Sequence, residues 1–137
     1  MRKMMSLLAL AMLILLWGRG GAQTVSSATE VTRRQLLVAP IDGQKTVDRV
    51  EVREISIAAN YKVGAHIHPC PVIGNIVSGE IVFQVEGQPE QILRPGDAFY
   101  EPANIVILKF DTRGQPAKFV ANFLLGKGEQ NGIKMVK

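Results

Sequence analysis

From Val31 onward, apolar residues recur in short runs with the two-residue spacing of strands, and the 3.6-residue period of an amphipathic helix is nowhere sustained. Runs rich in Val, Ile, Leu and Phe predict strands over residues 34–38, 47–58, 61–68, 72–77, 80–86, 90–93, 98–101, 105–110 and 118–125. Between them stand Ser78-Gly79, Glu86-Gly87, Pro95-Gly96 and Arg113-Gly114, pairs suited to tight turns. Many short strands at this spacing predict an all-β sandwich or barrel. There is no internal repeat and no low-complexity segment.

The first residues follow a different pattern. Arg2 and Lys3 precede an apolar run from Met4 to Trp17, followed by the small residues Gly18, Gly20, Gly21 and Ala22. This is the layout of a secretory signal peptide, with cleavage expected after Ala22 and a periplasmic or secreted mature protein. The alternative is an uncleaved anchor, but the run is shorter than the roughly 20 apolar residues a span needs. No cysteine follows for lipid attachment and no twin arginine precedes the run, which favours general secretion. Residues 23–30 read as a flexible lead-in, 31–126 as the folded domain and 127–137 as a loose tail.

Export changes the charge argument. The chain carries 16 Lys and Arg against 12 Asp and Glu, but Arg2, Lys3 and Arg19 leave with the signal, so 13 basic residues face 12 acidic ones and the net charge falls to +1. No basic run with interleaved aromatics remains, which argues against nucleic acid as a partner. No membrane association is expected after signal removal. The 115 mature residues suit one small domain with its own core. A single cysteine, Cys70, excludes an intramolecular disulfide.

The only two histidines are His66 and His68. In an extended strand this spacing aims both imidazoles to one side, which is how a sheet builds half of a metal site. No Ser/His/Asp or Cys/His arrangement, phosphate-cradling glycine loop or paired carboxylates accompany them, so hydrolytic and phosphoryl-transfer chemistry are unsupported.

Around this pair the chain resembles a single-domain cupin. The family's first motif runs His-x-His, three or four residues, Glu, six residues, Gly; here it reads His66-Ile67-His68, with Val72 at the glutamate position and Gly79 closing it. Its leading glycine falls on Asn60, with Gly64 nearby. In the second motif Gly96 and Pro102 match, while Asn104 replaces a glycine, Ile107 a histidine and Asp111 an asparagine. The resemblance covers roughly residues 60–111. It implies a double-stranded β-helix, or jelly-roll barrel, in which two of the four family metal ligands are missing.

A durable site needs a third ligand. Cys70, between Pro69 and Pro71, is one candidate, against its reading as a small buried hydrophobe or free thiol. Glu101 is the other, against its reading as a solvated charge at a strand end. The pair could equally be a relic in a barrel without metal. If bound, the ion could be Zn, Cu, Mn or Fe; outside the cytoplasm the affinity order favours copper or zinc. Val72 and Ile107, placed as their family counterparts are, would make the pocket apolar and suit a small apolar or aromatic molecule. Gln84, Asn75 and Tyr100 are polar candidates on the barrel wall, with outward solvation the alternative for Gln84. The expected function is binding of a small molecule in the barrel, with a metal-dependent oxygenase or isomerase using Cys70 or Glu101 as the alternative. A structural barrel that oligomerises is the third reading, and a homodimer fits all three.

Overall fold

The computed structural model describes residues 31–41, 43 and 45–137, so the expected signal segment and lead-in lie outside the described residues. Among the described residues nine strands follow one another: β1 (Arg49–Ile57), β2 (His66–Ile67), β3 (Val72–Ser78), β4 (Ile81–Val85), β5 (Gln91–Leu93), β6 (Ala98–Glu101), β7 (Ile107–Thr112), β8 (Ala117–Leu125) and β9 (Lys134–Met135). They pair antiparallel into a four-stranded sheet ordered β1-β8-β3-β6 and a five-stranded sheet ordered β5-β4-β7-β2-β9. This is the jelly-roll architecture expected from the sequence, and Arg34–Lys137 form one compact unit.

The alternation along each strand decides what lies between the sheets. In β8, Ala117, Phe119, Ala121, Phe123 and Leu125 point inward and are buried, while the residues between them are half-covered. β3 does the same with Val72, Gly74 and Ile76. Phe83, Phe99, Phe110 and Phe119 meet as a cluster with ring centroids 4.9–6.1 Å apart. Burying one such side chain contributes on the order of 1.5–3 kcal/mol, so four together anchor the core. Gly74 allows Phe99 to pack onto β3, since a Cβ there would stand 2.3 Å from the Phe99 ring and 2.4 Å from the Val120 carbonyl oxygen.

Three expectations are corrected. Residues 34–38 form no strand, and Leu36 and Val38 are exposed. The strand expected over 61–68 shortens to His66–Ile67. Ahead of β2, side chains supply partners that a ladder would otherwise provide: Thr112 Oγ1 accepts from the Tyr61 amide at 2.8 Å and Asp111 Oδ1 from the Val63 amide at 3.0 Å. The segment after Gly126 is not loose throughout, because β9 pairs with β2 and the Val136 amide donates to the Ala65 carbonyl at 2.9 Å. Among the described residues no helix is long and apolar enough to cross a membrane.

Candidate metal centre

β2 lies between β7 and β9, and two ladders fix the backbone of His66, one to Ile107 and one to Met135. The His66 ring turns back so that Nδ1 lies 2.8 Å from the carbonyl oxygen of Gly64. Nδ1 of His68 lies 2.9 Å from the carbonyl oxygen of Gly132. A carbonyl can only accept, so both Nδ1 atoms carry protons and donate. Each neutral ring is thereby left with an unprotonated Nε2.

Both Nε2 atoms face one carboxylate. Glu101 Oε2 is 3.2 Å from His68 Nε2, and Oε1 is 4.0 Å from His66 Nε2. The donor atoms of the three residues lie within 4.8 Å of one another, and all three side chains are buried. Two lone pairs and a carboxylate converging in a buried site repel one another unless a cation or a proton lies among them. Burial pushes the His68 pKa down, but the hydrogen bond and charge of Glu101, with the Gly132 carbonyl, together carry it above its ordinary 6.5. Two imidazole nitrogens and a carboxylate, each ring held through its other nitrogen, are a donor set that fits a divalent ion.

The carboxylate comes from a neighbouring strand. Val72, at the family's glutamate position, pairs directly with Glu101 across the β3–β6 ladder. Directly paired residues point to the same face of a sheet, so Glu101 brings its carboxylate to the face from which the residue at 72 projects.

Next to the three donors lies a cavity of about 230 Å³. Its wall is apolar: Ile55 and Ile57 of β1, Val63, Val72, Phe110 of β7, Phe119, Ala121 and Phe123 of β8, and Ile133. Its polar side chains are His66, His68 and Glu101. Phe123 packs edge-on against His68 with centroids 5.8 Å apart, and its ring lies 5.8 Å from the Arg53 guanidinium carbon.

The sequence candidates separate accordingly. His66, His68 and Glu101 come together, and Val72 lines the cavity beside them. Cys70 does not join them; it is fully buried in the core, and burial, followed by the charge of Glu129, pushes its thiol pKa up, which disfavours the thiolate a metal needs. Ile107 is fully buried opposite His66 and lies outside the cavity lining. Gln84 follows the inward Phe83 and so faces outward, where its amide donates to the Gln88 carbonyl at 3.3 Å. Asn75 alternates with the inward Gly74 and Ile76 and also faces outward. Tyr100 falls between the inward Phe99 and Glu101 on β6 and borders a separate surface groove. Sequence reasoning missed Gly64 and Gly132, which act through backbone carbonyls that leave no signature in a sequence, and Ile133, which lay in the expected tail.

The sequence matches the cupin domain over residues 53–122, just over half of the chain. The chain belongs to the cupin family. Its barrel is also similar to several solved structures. These include the DMSP lyase DddQ of Ruegeria pomeroyi DSS-3 (25% identity, TM-score 0.57, covering 64% of this chain and 43% of that one). An oxalate oxidase in complex with the substrate analogue glycolate follows at 23% identity, TM-score 0.55, and 64% and 46% coverage. A cupin-like protein of Thermotoga maritima matches at 19% identity, TM-score 0.53, and 61% and 62% coverage. The chain thus spans less than half the length of the lyase and the oxidase. No curated protein matches it by sequence. Within the cupin motifs, both asparagines that stand for glycine, Asn60 and Asn104, adopt positive φ, 54° and 60°. Asparagine is the side chain that best tolerates this region, so the backbone of the cupin turn survives the substitution.

Proposed function

We propose that this cupin holds a divalent metal through His66, His68 and Glu101 and uses it to bind a small molecule in the adjoining cavity. The observation that carries the reading is that both Nδ1 atoms are committed to carbonyls while both Nε2 atoms face the Glu101 carboxylate. A divalent ion held there supplies Lewis-acid attraction for an oxygen donor on the ligand. The chain's own residues do the rest. Val72, Phe110, Phe119 and Phe123 offer an apolar surface that excludes water, and Glu101 balances the positive charge. The ligand class that suits this wall is a small molecule with one carboxylate or carbonyl oxygen and a short apolar body.

A metal-dependent enzyme is the second reading. The lyase and the oxidase among the similar structures support it in general terms. The cavity lining favours an oxygenase over an isomerase, because its polar side chains are the three donors themselves and, among the described residues, no separate group in the lining stands ready to move a proton. The reading further includes export, with the segment up to Ala22 removed, and a homodimer formed at the open edge of β1, whose Val50 and Val52 are exposed.

The test is the metal content of the protein purified from its export compartment without a histidine tag, beside a His66→Ala/His68→Ala variant and Glu101→Ala. Near-stoichiometric metal in the parent, lost in both variants, is the expected result. Metal-free protein that also fails to take up zinc or copper would overturn it. The mass of the exported chain, expected to begin at Gln23, checks the processing.

A further inference from the structure

The segment that follows β8 contributes Ile133 to the cavity lining, and it is held at two points. At its start, Glu129 accepts from the Gly126 amide at 2.7 Å and from Lys45 Nζ at 2.7 Å, while Arg49 Nη2 donates to the Glu129 carbonyl at 2.8 Å. Asn131 Nδ2 adds a contact to Glu51 Oε2 at 3.4 Å. The bonds from the Gly126 amide and Lys45 Nζ hold the Glu129 carboxyl below its ordinary range. At its end, β9 pairs with β2 and Val136 bonds to Ala65. Between these anchors lie Gly132, whose carbonyl takes the His68 Nδ1 proton, and Ile133, which lines the cavity while remaining 51% exposed and therefore stands at its mouth.

We propose that residues 126–136 are a strap that orients His68 and narrows the cavity mouth, and that Lys45 and Glu129, remote from the donors, are its positioning residues. This rests on the metal-site reading above. The physical argument is one of entropy and alignment. A two-residue strand cannot hold the ring of the residue after it, and the Gly132 carbonyl reaches His68 only while the span between the anchors is taut. Freeing one anchor gives that span several backbone torsions, each of which favours the unbound arrangement. His66 is the internal comparison, because its Nδ1 bonds to Gly64 just before β2, outside the strap. The positioning role therefore predicts an effect confined to one of two otherwise similar rings.

The experiment compares the parent full-length mature protein with Lys45→Met, Glu129→Ala and Lys45→Arg. Isotope-edited NMR on metal-free protein reads the exchange of each Nδ1 proton with water. In Lys45→Met and Glu129→Ala the His68 Nδ1 proton is expected to exchange at least about tenfold faster while that of His66 is unchanged. Zinc affinity in the same variants is expected to fall about 10–100-fold, the usual consequence of losing a partner behind a metal-bound histidine. Lys45→Arg, which keeps the ion pair, is expected to restore both. Equal protection of His68 in parent and variants would overturn the strap, as would parallel loss at both histidines, which signals general loosening. A parent that binds no zinc would sink the metal reading alone, since the proton exchange is read without metal. Lys45 lies outside the apolar core, so its replacement leaves that core intact.

Discussion

At the scale of single residues, Glu101 decides the chemistry. It is 4% exposed, and its carboxylate faces two rings whose other nitrogens are already occupied. Glu101→Gln keeps the shape and removes the charge; zinc affinity is expected to fall by more than the roughly 10–100-fold that an outer partner costs, measured by competition with a chromophoric chelator. His68 adds a pH dependence. Metal must displace its proton, so affinity should climb as pH rises through a value above 6.5. The metal-free protein behaves in the opposite sense. A pKa raised on folding contributes stability that is fully present below the unfolded value near 6.5 and is lost as pH rises through the higher folded value. Thermal melts in chelator across that window should therefore fall with pH, and Glu101→Gln should flatten the trend. The histidine pair was legible in the sequence because its spacing is the period of a strand. Glu101 was only one of two candidates, because a carboxylate at a strand end reads the same whether it faces solvent or a core.

At the scale of elements, the β3–β6 ladder explains the choice between them. The family's glutamate position is filled by Val72, and the carboxylate stands on the strand beside it. Cross-strand pairing cannot be read from one sequence without the register, so the exchange was hidden. If the ladder is what matters, Glu101→Val should abolish metal uptake, and adding Val72→Glu to it should restore at least part. Metal analysis of the single and double variants checks this, and no recovery would mean that β6 alone presents the carboxylate correctly. Gly74 tests the same ladder from its interior. Gly74→Ala drives a methyl into Phe99 and the Val120 carbonyl, and should destabilise the fold by about 1–3 kcal/mol in denaturant titration, the range for overpacking a close-packed core. Strand existence was legible through most of the barrel, since β1, β4, β5 and β6 fall within the predicted runs and β3 and β8 exceed theirs by one residue each. The failures lie where pairing, not composition, sets the outcome. Residues 34–38 have strand composition but no ladder, and Lys134–Met135 has little strand character but gains one from β2.

At the scale of the molecule, the barrel has a filled end and a hollow end. Phe83 and Phe99 lie in the first, Phe110 and Phe119 pack against them and also line the cavity, and the cavity with its three donors occupies the second. Phe83→Ala should cost about 3–5 kcal/mol, as deletion of a buried phenyl ring usually does, with little change in zinc affinity per folded molecule. Ile133→Ala, at the half-exposed mouth, should cost well under that in a denaturant melt and instead speed entry of small carboxylates into metal-loaded protein. The fold class was legible because turn pairs and short apolar runs specify a barrel locally. An apolar pocket was expected with Val72 in its wall, but most of its lining was not legible, because which inward residues leave space depends on how two sheets meet.

The two asparagines at positive φ carry a wider consequence. Asn60 and Asn104 keep the turns of the barrel in shape without glycine, but asparagine next to a small flexible residue is the side chain most prone to spontaneous deamidation. Neither is followed by glycine here: Tyr61 and Ile105 come next, both bulky, which slows attack by the following amide. The chain would thus age slowly at the very corners that define its shape.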